Sequence, residues 1–224
     1  MHLIKIIQYV FLGIIQGFTE PIPVSSSGHL LIFKNLFNFD MLNDINFEII
    51  VNFGSFIAIA FLYRKEIFNI ISDFFCYIKT KKKECKNNFN YAWLIVIATI
   101  PAGLFGILFK NKIESLSNNV KLVGIALLIT SLALFLVKDI KGKKEKKDIT
   151  IKNALIIGAF QVIALFPGIS RSGSTLVGAM TQNLKREAAV NFSFMLYFPI
   201  SVATMILGVS DLINTPNKTN LILP

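Results

Sequence analysis

Residues 16–29 read QGFTEPIPVSSSGH, and the rest of the chain is organised around this polar stretch. It places a carboxylate, a run of hydroxyls and an imidazole between the segments 6–15 and 30–33, which carry no charged residue. Pro21 removes a backbone donor, and Pro23 disfavours helix at the residue before it. A serine at 25 or 26 can then cap a second helix. We therefore predict a re-entrant hairpin of two half-length helices, with a polar turn that is buried or lines a wet cavity.

A second stretch of the same kind lies at residues 161–175, which read QVIALFPGISRSGST. At an offset of 145 residues, Gly13, Gln16, Ser25, Ser27 and Gly28 fall on Gly158, Gln161, Ser170, Ser172 and Gly173. Residues 48–53 likewise match 187–192, at an offset of 139. We therefore predict an internal repeat whose two hairpin turns meet at the membrane midplane. The second copy is expected to lack its last two spans.

The composition is that of an integral membrane protein. Hydrophobic residues make up 54% of the chain, mean hydropathy is +0.62, and 21 residues are phenylalanine. Several apolar stretches approach the length of a membrane span, so we predict an all-α protein with one polytopic membrane domain over residues 1–224. Repeat one covers about 1–138, a basic cytoplasmic loop 138–152, and the partial repeat two about 151–224. Simple spans are expected at 47–63, 91–109, 120–137 and 188–209, and an interfacial helix at 65–78.

The net charge of +10 is concentrated in two segments between apolar spans. Of the 23 Lys and Arg residues, seven lie in 64–88 and seven in 138–152, and neither segment has a recognisable nucleic-acid motif. This distribution is typical of cytoplasmic loops that obey the positive-inside rule. With both basic segments on the inside, the two hairpins enter from opposite faces, which is the pattern of an inverted repeat.

Three ionisable residues cannot easily reach a membrane interface: Glu20, His29 and Arg171. A charged side chain near the bilayer centre costs about 2.5–3.5 kcal/mol on insertion scales, and opposite charges offset one another only in a shared cavity. We therefore predict that Glu20 and Arg171 lie in one pocket. In the alternative interpretation, His29 is a satisfied core histidine and Glu20 is only a structural partner for Arg171.

Hydroxyl side chains surround these charges, namely those of Ser25, Ser26, Ser27, Ser170, Ser172, Ser174 and Thr175. Both serine clusters open a helix, so free backbone N–H groups and the positive end of the helix dipole face the turn. An arginine adds bidentate contacts to phosphate oxygens. Gln16 lies four residues before Glu20 and shares its helical face. The pattern favours a site for an anion, and phosphate suits it best.

At these residues the sequence resembles the undecaprenyl pyrophosphate phosphatases associated with bacitracin resistance. Residues 16–29 match their first motif, and residues 167–175, which read PGISRSGST, match the second. The resemblance covers nearly the whole chain. It implies hydrolysis of undecaprenyl diphosphate to the monophosphate, which recycles the carrier lipid for cell-wall synthesis. It also implies a bacterial plasma membrane, a site that opens to the outer face, and dependence on Mg²⁺ or Ca²⁺.

The family's functional positions fall here on Gln16, Glu20, Ser26, His29, Ser170, Arg171 and Thr175. Many members have Glu at the position of Gln16, and members usually continue through two more C-terminal helices. The expected partners are an isoprenoid diphosphate lipid and the membrane, with no nucleic acid. A homo-oligomer is left open.

These positions suggest a mechanism in which Ser26 attacks the diphosphate, activated by His29 three residues along the helix. Glu20 and Gln16 would hold a divalent cation, and Arg171 would stabilise the transferring phosphoryl group. The remaining candidate phosphate ligands are Ser25, Ser27, Ser170, Ser172 and Thr175. Direct attack by His29 or by a metal-bound water is an open alternative. The competing functions are a transporter or flippase for a phosphorylated isoprenoid lipid, and an inactive truncated homologue.

Overall fold

The computed structural model describes residues 2–39, 45–117 and 119–214. Over these ranges the chain forms ten α-helices and a short 3-10 turn at Lys146–Asp148, with no β-strand. The helices are α1 (His2–Thr19), α2 (Ser26–Leu36), α3 (Ile45–Leu62), α4 (Arg64–Thr80), α5 (Lys83–Leu108), α6 (Lys110–Ser117), α7 (Val120–Val137), α8 (Ile151–Ile163), α9 (Arg171–Thr181) and α10 (Arg186–Asn214). Part of the predicted second repeat, residues 215–224, lies outside the described residues.

Three of the described helices are long and apolar enough to cross a membrane: α5, α7 and the Arg186–Ile206 part of α10. Shorter apolar helices cover Leu3–Thr19, Ile49–Leu62 and Ile151–Ile163. Large apolar side chains point outwards, among them Leu128 and Leu136, which are 72% and 70% exposed. Such a surface needs lipid around it rather than water. The predicted class, an all-α multi-pass membrane protein, is confirmed.

The lysine run at 79–86 is largely helical and not the loop that its charge suggests. Helix α4 ends at Thr80 and α5 begins at Lys83, so only two residues separate them. Lysine is a good helix former, and the turn is made by Lys81 in the left-handed conformation at φ 54°. Cys76 and Cys85, to which the sequence gives no role, form a disulfide between the two helices. The span predicted at 91–109 therefore begins a little over two turns earlier.

Two glycines fix the α8–α9 pair against its neighbours. A Cβ added at Gly158 of α8 would lie 2.4 Å from the carbonyl oxygen of Ala98, so only glycine allows α8 to approach α5 so closely. Gly168, in the turn between α8 and α9, has φ +90° and lies against the backbone of Val123 in α7. The turn therefore depends on glycine for both its conformation and its space.

The 138–150 connection contacts the start of α4 and the residues that follow α9. Lys146 of the 138–150 connection donates to Glu66 of α4. The same connection bonds to the residues after α9, where Lys185 donates to Glu145 across 2.6 Å. That hydrogen bond, together with Lys147, lowers the pKa of the Glu145 carboxyl below its usual value. The ion pairs hold the connection onto the ends of the helices.

Candidate active site

A cavity of about 310 Å³ lies between the turn that joins α1 to α2 and the turn that joins α8 to α9. The two turns are in contact, since a Cβ added at Gly173 would lie 3.1 Å from the carbonyl oxygen of Pro23. The polar side chains that line the cavity are Thr19, Glu20, Ser25, Ser26, Ser27, Asn52, Gln161, Ser170, Arg171, Ser172, Ser193, Tyr197, Ser201 and Thr204. Helices α3 and α10 thus complete the walls.

Glu20 and Arg171 meet in this cavity. A guanidinium nitrogen of Arg171 lies 3.5 Å from Oε1 of Glu20, and their side chains are 33% and 8% exposed. Arg171 also donates to Oγ of Ser201 across 3.3 Å, and its guanidinium lies 5.0 Å from the ring centre of Tyr197. The ion pair between Glu20 and Arg171, which we predicted because isolated charges in a membrane are costly, is therefore present. The arginine is held from three sides.

The second oxygen of Glu20 accepts two further hydrogen bonds. Nε2 of Gln16 donates to Oε2 across 2.9 Å and also to Oδ1 of Asn52 across 3.0 Å. Oγ of Ser26 donates to the same Oε2. Glu20 thus reaches from the end of α1 to the first turn of α2, where it contacts a hydroxyl that could act as a nucleophile.

Both turns end in a serine-capped helix whose N-terminus faces the cavity. Oγ of Ser25 accepts a hydrogen bond from the backbone N–H of Gly28 across 3.4 Å, and Oγ of Ser170 accepts one from Gly173 across 3.1 Å. Ser25 adopts φ 65°, a left-handed conformation that is uncommon for serine. Free N–H groups of the first turns of α2 and α9 therefore remain for an anion.

Three predicted site residues, Gln16, His29 and Thr175, do not line the cavity. Nδ1 of His29 lies 2.9 Å from the carbonyl oxygen of Ser25, and the described contact of Ser26 is with Glu20 instead. The hydroxyl of Thr175 is buried within α9 and donates to the carbonyl oxygen of Arg171 across 3.0 Å. The structure therefore shows no contact that would support a base role for His29 or a phosphate-binding role for Thr175. The assigned roles of the other residues stay predictions.

Sequence reasoning missed the contribution of α10. Ser193, Tyr197 and Ser201 follow one another at intervals of four residues and face the same cavity. That spacing marks one face of a helix, and polar residues repeated along one face of an apolar helix were the available signal. Asn52 also lines the cavity and accepts a hydrogen bond from Gln16, which links α3 to α1.

The donor set for a divalent cation is small. Glu20 is the one acidic side chain among the residues that line the cavity, and the described parts of the chain hold no group of three or more His, Cys, Asp and Glu able to bind a metal. Gln16 directs its amide nitrogen towards Glu20, whereas its amide oxygen is buried without a partner among the described residues. Since Mg²⁺ is often bound by one or two carboxylates plus substrate phosphates, Glu20 fits such a site.

The chain is similar to known proteins over most of its length. Residues 9–223 match the family model described as "Bacitracin resistance protein BacA". The chain is 42% identical to "Undecaprenyl-diphosphatase 1" of Bacillus cereus, covering 98% of this chain and 81% of that protein. It is also 42% identical to "Undecaprenyl-diphosphatase 1" of Bacillus licheniformis, covering 100% and 83%. A third relative, "Undecaprenyl-diphosphatase" of Oceanobacillus iheyensis, is 40% identical over 98% and 80%.

The matched region includes both polar turns, the ion pair between them and the helices that enclose the cavity. Its extent, together with identities of this size over most of each relative, leaves one conclusion. The chain belongs to the bacitracin resistance protein BacA family.

Proposed function

We propose that this protein is a membrane phosphatase that hydrolyses undecaprenyl diphosphate to undecaprenyl phosphate and inorganic phosphate. The observation that carries the proposal is the contact of Ser26 with Glu20, beside Arg171 and between two helix N-termini. Binding alone requires donors for the phosphates, whereas group transfer also requires a nucleophile in contact with a base. The names of the relatives, and the bacitracin resistance in the name of the family, support the same activity.

In the proposed reaction, Oγ of Ser26 attacks the terminal phosphorus and passes its proton to Glu20. The bond from Oγ to phosphorus forms, and the bond to the bridging oxygen breaks with its electron pair going to the lipid phosphate. Glu20 replaces His29 as the base because Glu20 is the group that Ser26 contacts. Water then hydrolyses the phosphoserine and restores the hydroxyl.

Arg171 and the free N–H groups of α2 and α9 stabilise the negative charge of the transferring phosphoryl group. Arg171 is suited to this role because Tyr197 and Ser201 fix its guanidinium in one orientation. Glu20 is the residue that would hold the expected Mg²⁺ or Ca²⁺, and a bound cation would neutralise charge on the diphosphate.

We further propose the arrangement in the membrane. The two helix–turn–helix units, α1–α2 and α8–α9, are re-entrant hairpins of an inverted repeat that enter from opposite faces. The basic end of the molecule, which includes Lys146 and Lys185, lies in the cytoplasm of a bacterium, in accord with the positive-inside rule. The site then opens towards the outer face of the plasma membrane.

The direct test is phosphate release from undecaprenyl diphosphate by the purified protein in detergent. We expect turnover that falls at least about a hundredfold in Arg171→Ala, since one lost transition-state donor costs about 10²–10³ in rate. Arg64→Ala is the matched control, because Arg64 lies on the exposed face of α4, away from the cavity, and packs on Phe61. Absence of phosphate release from a folded wild-type protein would favour the transporter or flippase instead.

A further inference from the structure

Gln161 and Ser193 carry buried polar atoms that nothing in the described chain satisfies. Gln161 is 1% exposed and Ser193 5% exposed. Neither the amide oxygen nor the amide nitrogen of Gln161 has a hydrogen-bond partner among the described residues, and the same holds for Oγ of Ser193. Buried groups of this kind are rare because each one forfeits its hydrogen bonds to water. Both side chains line the cavity, so a ligand there is the natural partner.

The internal repeat explains why the amide of Gln161 is free. Its counterpart in the first half is Gln16, whose amide nitrogen is shared by Glu20 and Asn52. At the offset of 145 residues, the position of Glu20 is taken by Leu165. The second half of the chain therefore has the amide donor but no carboxylate that could accept a hydrogen bond from it. An amide without its acid is available to an anion that enters from outside the protein.

The position of Ser193 relates this free amide to the ion pair. Ser193 lies one helical turn, about 6 Å along α10, before Tyr197, on which the guanidinium of Arg171 rests. Arg171 is already held by Glu20, Tyr197 and Ser201, so it can serve one phosphate but has few donors left for another. A second phosphate bound in the cavity needs donors of its own.

We propose that Gln161 and Ser193 form a second phosphate subsite, which binds the lipid-linked phosphate while the terminal phosphate reacts at Ser26. This inference rests on the proposed function and adds to it a basis for choosing a diphosphate over a monophosphate. When the bridging bond breaks, its electron pair passes to the lipid-linked phosphate. The N–H of Gln161 and the hydroxyl of Ser193 stabilise that charge on the leaving group, which makes them substrate-binding residues of the reaction.

The test compares two soluble probes, methylenediphosphonate and inorganic phosphate, by calorimetry on the purified protein in detergent. We expect Gln161→Met to raise the Kd for methylenediphosphonate about tenfold or more, because a hydrogen bond to a charged group is lost. The Kd for inorganic phosphate should stay within about twofold, since a single phosphate is held by Arg171 and the helix N-termini. Ser193→Ala should show the same selective loss and replaces Gln161→Met if that variant does not fold.

Tyr91→Phe is the matched control, because the hydroxyl of Tyr91 is also buried and without a partner in the described chain but lies outside the cavity. It should change neither Kd. Equal weakening of both probes by Gln161→Met and Ser193→Ala, or no change in either probe, would overturn the second subsite. If the wild-type protein releases no phosphate from a lipid diphosphate, the proposed function fails, but the comparison of the two Kd values still decides the subsite.

Discussion

Neutralising both members of the ion pair separates a structural role from a catalytic one. In Glu20→Gln, Arg171→Met and the double variant, the lost attraction can be worked from the geometry. At 3.5 Å and an effective dielectric constant of about 20, Coulomb's law gives about 5 kcal/mol. Arg171 is one-third exposed, so solvent screens part of this attraction. We therefore expect a coupling energy of about 1–3 kcal/mol, between the values for exposed and buried pairs.

Thermal unfolding in detergent measures the stability of the three variants, and phosphate release measures their activity. Arg171→Met should be the least stable, because it leaves the 8%-exposed carboxylate of Glu20 without its counter-charge. The double variant should recover part of that stability but remain at least about a hundredfold slower than wild type, since both catalytic groups are missing. A double variant that regains wild-type turnover along with its stability would show that the pair is only structural.

Three further predictions follow from the same geometry. Gly168→Ala should lower stability by about 2–4 kcal/mol, because the added Cβ strains the backbone and collides with Val123. Gly103→Ala should leave stability unchanged, because no described atom lies within 4 Å of its Cβ, and thermal unfolding measures both variants. Ser26→Ala should abolish formation of a phosphoenzyme, while His29→Ala should retain it; the reverse result would restore histidine as the nucleophile. Gln16→Glu should make the melting temperature rise with added Mg²⁺, because two adjacent carboxylates repel until a cation binds them, and an unchanged melting temperature would contradict this.

Much of the site was predictable because membrane burial makes each charged residue expensive. Glu20 and Arg171 were identified for that reason, and the sequence repeat predicted that the turns that carry them lie together. Ser25 and Ser170 were predictable as helix caps, since serine before a helix has few other roles. These inferences depend only on local chemistry and on one symmetry of the sequence.

The partner of each hydrogen bond was not predictable. Helical spacing puts Ser26 and His29 on one face of α2, yet the side chain of Ser26 contacts Glu20, across the turn. That choice depends on the backbone of the turn, where Ser25 takes up a left-handed conformation. The helical structure of the lysine run at 79–86 was not predictable for another reason. Charge indicates the side of the membrane but not the secondary structure. The polar face of α10 was visible in the sequence only as isolated residues in an apolar helix.

The glycine contacts of α8 and of the turn after it have a consequence for how a lipid reaches the cavity. Gly158 and Gly168 let backbone press directly on backbone, so no side chain can rotate away to let this wall shift. In the opposite wall, Leu12 of α1 and Leu30 of α2 pack with Phe47 of α3 through their side chains. Side chains in such a contact can change rotamer, whereas a backbone-to-backbone contact has no rotamer to change. We therefore expect the headgroup to enter and leave by displacement of the first pair of helices, while the wall that carries the arginine stays still.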